Sequence, residues 1–441
     1  MGIADYLGHT IQCECGKQHT VEIQTVEISR GALEEVADIL KKDGFKYPFV
    51  VSDQNTYRAA GQRLVAQLEE QGITVGSHMF RTEGDLVPDE EAVGELLLNF
   101  EPGCDVIVGV GSGTINDLVR FFSHRVGLPY YIAATAPSMD GYASTGAALI
   151  VNRLKTTYTC QMPRAIVADL DVLSTAPKEM IAAGFCDVVG KYTALADWRL
   201  SAIINDEYYC DRVVDIMRTS LEQTVALKDD IAEGKPDAVG KLMEALVLAG
   251  ISMSYAGNSR PASGSEHHLS HFWEIRFLLE SKPALLHGTK VGIGTVLITR
   301  LYQLLQGAGL NSESIRQVSC PQRENWEEEI HRTYLAAAPE VIALEESAQK
   351  NDLRNWEQRI RVIAERWPQI LAVLDSVPSD HEIETLLTTA GGVVNPAEVG
   401  ISADLVRQAL IYAKEVRPRY TILQLLWDLN LLVPYAERLT G

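Results

Sequence analysis

Apolar residues in the first third of the chain come in short unbroken runs, separated by stretches of helical period. The run at 47–52 (YPFVVS) has the length and continuity of a strand covered on both faces, as do 105–110 (DVIVGV) and 129–134. Residues 73–80 make a further strand, and residues 1–30 a strand-rich lead-in. Between the strands, 56–71 reads as a helix with Leu64, Val65 and Leu68 on one stripe. Another helix, 88–100, carries Asp89, Glu90 and Glu91 in its first turn, where carboxylates suit the helix dipole. A third helix is read over 114–123. Strands and helices alternating at this spacing predict βαβ units, a parallel sheet and right-handed crossovers. After about residue 174 the pattern changes to long segments of helical period, at 177–205, 207–231, 239–255, 291–306, 326–337 and 403–414. The expectation is an α/β protein. Residues 1–173 form a Rossmann-like, parallel-sheet nucleotide-binding domain, and residues 174–441 an all-helical domain that carries a metal site.

Composition narrows the class without naming it. The 441 residues hold 39 Lys and Arg against 59 Asp and Glu, a formal charge of −20. With 46 % hydrophobic and 22 % charged residues, the chain is an ordinary globular one, and disorder is excluded. No cluster of Lys and Arg stands out to meet a phosphate backbone, so nucleic acid is excluded as the main partner. The seven cysteines are odd in number and mostly scattered, which suits a reducing cytosol rather than a disulfide framework. The amino terminus lacks the apolar core of a secretory signal. The longest apolar run, 246–251, reads as far short of a membrane span. A cytoplasmic enzyme without a membrane span is the expectation.

Four motifs carry the chemistry. Gly109-Val110-Gly111-Ser112-Gly113-Thr114-Ile115-Asn116-Asp117 follows an apolar strand and opens a helix. Glycines there let backbone approach a pyrophosphate, and the helix amino terminus offers N–H groups and a positive dipole end. The spacing is not G-x-G-x-x-G, and it comes a hundred residues in. Asp53 follows the strand YPFVVS. Alone it reads as a helix cap; beside the glycine loop, it becomes a ribose acceptor. Thr135-Ala136-Pro137-Ser138-Met139-Asp140-Gly141 sets hydroxyls and a carboxylate at another strand end. The fourth motif is the strongest. Ser265-Glu266-His267-His268-Leu269-Ser270-His271 puts three of the ten histidines in five positions, and His287 follows. On a helix His267 and His271 share a face. Asp187, in FCDVVGK, is a carboxylate in an apolar helical stripe that needs a partner, and a metal would serve. A fifth group, Cys13, Cys15 and His19, supplies three of the four ligands a structural zinc needs. It therefore reads as a surface hairpin.

Taken together, VSDQNT, GVGSGTIND, TAPSMDGYAS, GFCDVVGKYTALADW, SRPASGSEHHLSH, HGTKVGIGT and VRPRYTILQLL resemble, in order, the bacterial-type sn-glycerol-1-phosphate dehydrogenases. These belong to the iron-containing alcohol dehydrogenase and dehydroquinate synthase superfamily. The resemblance implies a reversible, NAD(P)H-dependent and metal-dependent reduction of dihydroxyacetone phosphate to sn-glycerol 1-phosphate. It implies that Asp187, His267 and His287 hold the metal, that Asp140 touches substrate and that His271 faces it. Asp53 would contact the ribose. Gly113, Thr114, Ile115, Asn116 and Asp117 would surround the pyrophosphate, and Thr135, Ala136, Pro137, Ser138 and Ser144 would line the nicotinamide side. The metal would be nickel, zinc or iron, and the cofactor NAD(H) or NADP(H), with Asp53 leaning towards NAD(H). Lys191, Lys290 and Arg260 are phosphate candidates because they sit inside the motifs. A homodimer and a product destined for ether-type or archaeal-like phospholipids are also implied. The tail after Glu327 is expected to be long for the family. Glycerol dehydrogenase, 3-dehydroquinate synthase and a non-catalytic metal- or nucleotide-binding relative are the alternatives.

Overall fold

The computed structural model describes residues 3–152, 154–321 and 324–441. Its strands are β1 (Ile11–Gln12), β2 (Gln18–His19), β3 (Thr25–Ser29), β4 (Pro48–Asp53), β5 (Gly76–Phe80), β6 (Val106–Gly111), β7 (Tyr130–Ala134), β8 (Gly146–Val151), β9 (Leu154–Thr159) and β10 (Ala165–Asp169). Six of them form one sheet in the order β3-β10-β7-β6-β4-β5, and every pairing in it is parallel. The two remaining pairs, β1-β2 and β8-β9, are antiparallel hairpins. Chain contacts divide the molecule into two compact units, residues 3–188 with 219–258, and residues 189–218 with 259–441. The division expected after residue 173 differs from this one. The helix Lys178–Val189 packs with the sheet unit through its own glycine, and the segment 219–258 returns to that unit.

In the first unit the sheet strands are apolar on both faces, as a parallel sheet covered by helices requires. Val50, Val106, Val108, Val110, Tyr131 and Val167 pack with Leu33, Val36, Leu40, Leu64 and Leu68 from the covering helices. Each such side chain contributes roughly 1.5–3 kcal/mol of burial. The helix Pro236–Ala256 is apolar nearly all round. It is the one helix among the described residues long and apolar enough to cross a membrane, and 78 % of its apolar window lies inside the protein. The run at 246–251 is thus part of a longer apolar helix than the sequence suggested, in the position of a core helix.

The second unit is helical throughout its described residues. The segment read as one helix over 177–205 is two, Lys178–Val189 and Lys191–Asn205, parted at Gly190. The helices Ser265–Leu279 and His287–Gln306 lie against each other. A Cβ at Gly294 would stand 2.7 Å from the Glu266 carbonyl oxygen. Only a residue without a side chain lets the two helices come this close, and the approach sets the spacing of the histidines they carry. Buried ion pairs tie the later helices together. Arg359 clasps Asp428 with two bonds of 2.7 Å, and Glu415 lies between Lys350 and Lys414.

Candidate active site

The sheet order places three strand ends side by side. The chain runs from β4 outward to β5, then returns across β4 to β6 and continues to β7. This reversal between β4 and β6 is where ligands bind in open parallel sheets, at the carboxyl ends of the strands. Asp53 ends β4, Gly111 ends β6, and Thr135 follows β7 with its N–H donating to the Gly111 carbonyl at 3.1 Å. Asp53 caps the short helix after it, its Oδ1 accepting from the N–H groups of Asn55 and Thr56, both at 2.8 Å. The capping role and a ribose contact coexist, because both bonds use one carboxylate oxygen.

Helix Gly113–Val126 begins where β6 ends, and no side chain caps it. Its first bonded amide is that of Asn116, so the N–H groups of Gly113, Thr114 and Ile115 face outward as an anion site would need. The buried Asn116 Oδ1 has no protein partner, while its Nδ2 donates to the Gly141 carbonyl at 3.3 Å. Two details add to the sequence reading. Gly111 is glycine for internal packing: a Cβ there would sit 2.6 Å from Cβ of Ile115. Asp117 turns to the buried Arg120, which reaches its Oδ1 at 2.9 Å and also donates to the carbonyls of Gly141, Tyr142 and Gly146. Asp117 thus holds the loop that follows β7 through Arg120. The loop Thr135, Ala136, Pro137 and Ser138 is buried and fixed by the Tyr142 hydroxyl on the Ala136 carbonyl, at 2.6 Å. Ser144 lies past the turn Gly141–Ala143, with its Oγ on the Gly146 carbonyl at 3.2 Å.

The same loop leads to the metal donors. Asp187, fully buried on the helix Lys178–Val189, accepts from the Asp140 N–H at 3.0 Å. One turn earlier, a Cβ on Gly184 would lie 1.7 Å from the Pro137 carbonyl oxygen. Helix and loop are in backbone contact, and that contact positions Asp187. Ligand atoms of Asp187, His267 and His287 lie within 4.8 Å of one another. The His267 and His287 ring centroids are 5.1 Å apart, and His271 stands 6.3 and 6.1 Å from them.

The His267 ring has a partner behind it. His267 Nδ1 is 2.7 Å from Glu266 Oε1. Nε2 is then the nitrogen left to coordinate, the arrangement that holds metal-bound histidines in one tautomer. Glu266 is itself held by the Thr193 hydroxyl at 2.6 Å and the Gly264 N–H at 2.7 Å. Asp197, from the ADW motif, accepts from the N–H and hydroxyl of Ser265 at 2.7 and 2.6 Å. It also accepts from the Tyr302 hydroxyl and the Ile422 N–H, both at 2.7 Å. Burial, with the nearby Glu266 charge, pushes the Asp197 carboxyl up to about 6. This aspartate anchors the start of the histidine helix. The sequence reading missed it, although a second carboxylate ten residues after Asp187 in an apolar helix was the available signal. The donor set of one carboxylate and two imidazoles, with Asp187 and His267 buried, fits a divalent metal of intermediate softness.

The phosphate candidates sort differently. Arg260 is committed to Glu207 by bonds of 2.8 and 2.5 Å and to the Tyr420 carbonyl at 2.8 Å, a structural role. Lys191 donates to the Ala262 carbonyl at 3.0 Å, and Lys290 pairs with Glu274 at 3.2 Å. Arg417 and Arg419, in the VRPRY motif, were not singled out. Burial first, then the charges of Arg417 and Arg260, pushes the Arg419 guanidinium down from its ordinary range. A guanidinium keeps its charge, so two arginines placed together suit a dianion.

The fold, a parallel-sheet unit and a helical unit, is that of solved iron-containing alcohol dehydrogenases. A family model described as "Iron-containing alcohol dehydrogenase" matches residues 27–177. The solved glycerol dehydrogenase of Schizosaccharomyces pombe has the same fold, with a TM-score of 0.59 at 17 % identity, covering 94 % of this chain and 90 % of that one. Sequence relatives narrow the class. The glycerol-1-phosphate dehydrogenase [NAD(P)+] of Geobacillus stearothermophilus is 36 % identical over 95 % of this chain and 96 % of its own. That of Halalkalibacterium halodurans is 34 % identical over 93 % and 94 %. The chain belongs to the glycerol-1-phosphate dehydrogenase family. These two relatives align over nearly the whole chain, so the tail after Glu327, expected to be long for the family, is not long beside them.

Proposed function

We propose that this protein is an NAD(P)H-dependent, metal-dependent sn-glycerol-1-phosphate dehydrogenase, reducing dihydroxyacetone phosphate reversibly. One observation carries the reading. Asp187 is at once one of three converging metal donors and the acceptor of the Asp140 N–H, at the end of the loop proposed to line the nicotinamide. A residue shared in this way ties the reacting carbonyl to the hydride donor.

Asp187, His267 and His287 would hold a nickel, zinc or iron ion, which when bound supplies Lewis-acid polarisation of the substrate carbonyl. A bound NADH or NADPH would supply the hydride for C2. The N–H groups of Gly113, Thr114 and Ile115, with Asn116, bind the pyrophosphate, and Asp53 accepts from a ribose hydroxyl. Asp140, pinned by its own N–H, presents its carboxylate to a substrate hydroxyl. His271, oriented through Nδ1 by Glu274 at 3.4 Å, gives its proton to the oxygen as the carbon–oxygen double bond closes to a single bond. Arg417 and Arg419 take the phosphate. The same reading places the enzyme in the cytoplasm as a homodimer, making a phospholipid precursor.

The test is NADH oxidation with dihydroxyacetone phosphate beside unphosphorylated dihydroxyacetone. Turnover of the phosphorylated ketone alone, giving the sn-1 product, supports the reading. Turnover of dihydroxyacetone alone points to a glycerol dehydrogenase. NADH binding without steady consumption points to a dehydroquinate synthase-like or non-catalytic relative.

A further inference from the structure

Cys13, Cys15 and His19 stand on the hairpin of β1 and β2, whose strands are two residues long. So short a hairpin is not stable by its own ladder, and something else must fix it. The sequence alone offered three ligands; folding supplies a fourth. Ligand atoms of Cys13, Cys15, His19 and Cys210 lie within 4.8 Å of one another. Cys210 is buried, and its carbonyl accepts the first bond of the helix Asp211–Ala226. The chain reaches that point 191 residues after His19, which is why no local spacing rule could show it.

The histidine is prepared as a ligand. His19 is fully buried, its ring stacked on Tyr255 at 5.1 Å between centroids. Its Nδ1 lies 2.9 Å from the Tyr255 carbonyl oxygen, which can only accept, so Nδ1 carries the proton. Nε2 is then the coordinating nitrogen, and it lies 3.4 Å from Cys15 Sγ. A backbone carbonyl behind one ring nitrogen, with thiols before the other, is the outer-partner pattern of a metal-bound histidine. Two ligands of a tetrahedral zinc, at bond lengths of about 2.3 Å to sulfur and about 2.0 Å to nitrogen, stand roughly 3.5–3.8 Å apart. The His19 Nε2 to Cys15 Sγ distance of 3.4 Å already matches this, and the whole group lies within 4.8 Å. The turn between the cysteines is already closed by the Gly16 N–H on the Cys13 carbonyl at 3.1 Å, and among the described residues every cysteine is a free thiol outside any disulfide.

We infer that Cys13, Cys15, His19 and Cys210 form a second, structural zinc site that holds the amino-terminal hairpin closed. Four protein ligands close the coordination sphere and leave no position for substrate. Its three thiolates set it apart from Asp187, His267 and His287, which supply no sulfur.

The experiment is metal analysis of the full-length protein by mass spectrometry, with X-ray absorption at the zinc edge. The wild type should hold one zinc beyond the metal at Asp187, His267 and His287, with three sulfur neighbours and one nitrogen. Cys15→Ser and Cys210→Ser should each lose that zinc and keep the other metal, whereas His287→Ala should do the reverse. Should the serine variants fail to fold, cobalt substituted into the wild type should show sulfur-to-metal charge transfer. The inference is overturned by a wild-type zinc with no sulfur neighbours, by full zinc retention in Cys15→Ser, or by a Cys13–Cys15 disulfide in the native protein.

Discussion

Gly184→Ala tests whether backbone contact positions the metal site. The added methyl would stand 1.7 Å from the Pro137 carbonyl oxygen, where real contacts of this kind begin at 3.0 Å. Helix Lys178–Val189 and the loop must therefore part by about 1.3 Å, because neither atom belongs to a flexible side chain. The Asp140 N–H to Asp187 bond, 3.0 Å long, sits one turn away on the same helix face and breaks under that shift. Overpacking of this kind costs about 1–3 kcal/mol of stability. Misplacing a reacting group by about 1 Å costs on the order of 100-fold in rate. Gly184→Ala should then fold, melt at lower temperature, and lose about 100-fold in kcat with dihydroxyacetone phosphate, while the KM for NADH changes little. The assay is steady-state NADH oxidation with metal content measured in parallel. A variant with wild-type kcat and wild-type metal content would refute the claim that this contact positions Asp187.

Asp53→Ala should improve use of NADPH relative to NADH, since a carboxylate repels a 2′-phosphate; the ratio of the two kcat/KM values checks it, and an unchanged ratio removes Asp53 from the ribose site. Arg419→Ala should raise the KM for dihydroxyacetone phosphate at least 10-fold, the scale of a lost charge-assisted bond, and leave that for NADH alone. Glu415→Gln probes the buried pair network. Burial raises the Glu415 carboxyl, but Lys350 and Lys414 outweigh it and hold it at about 2. A carboxyl lowered on folding adds stability above its unfolded pKa and loses it as pH falls from about 4.5 towards 2. The variant should be about 3–5 kcal/mol less stable at pH 7, having left two buried ammonium groups without their carboxylate. Its deficit against the wild type should shrink through that acid window in denaturant titrations.

The sheet was legible where strands are continuous apolar runs. The expected 47–52, 105–110 and 129–134 became Pro48–Asp53, Val106–Gly111 and Tyr130–Ala134. β10, Ala165–Asp169, was not picked out, since four apolar residues and an aspartate after an irregular segment carry no period of their own. The histidines were legible because i and i+4 spacing is local, and Asp187 because a carboxylate in an apolar stripe needs a partner. What stayed hidden depends on distant segments meeting. Cys210 shares a ligand cluster with His19, 191 residues earlier, and Ile422 reaches back to Asp197. Gly111 was read as a ligand-facing glycine, but its neighbour is Ile115, a contact visible only once strand and helix are packed.

The most direct test of the central claim is the turnover of dihydroxyacetone phosphate by protein stripped with chelator, as nickel, zinc or iron is returned stoichiometrically. The account predicts that activity vanishes with the metal held by Asp187, His267 and His287, and returns as one equivalent per chain refills that site. Undiminished turnover after that metal is gone would contradict it.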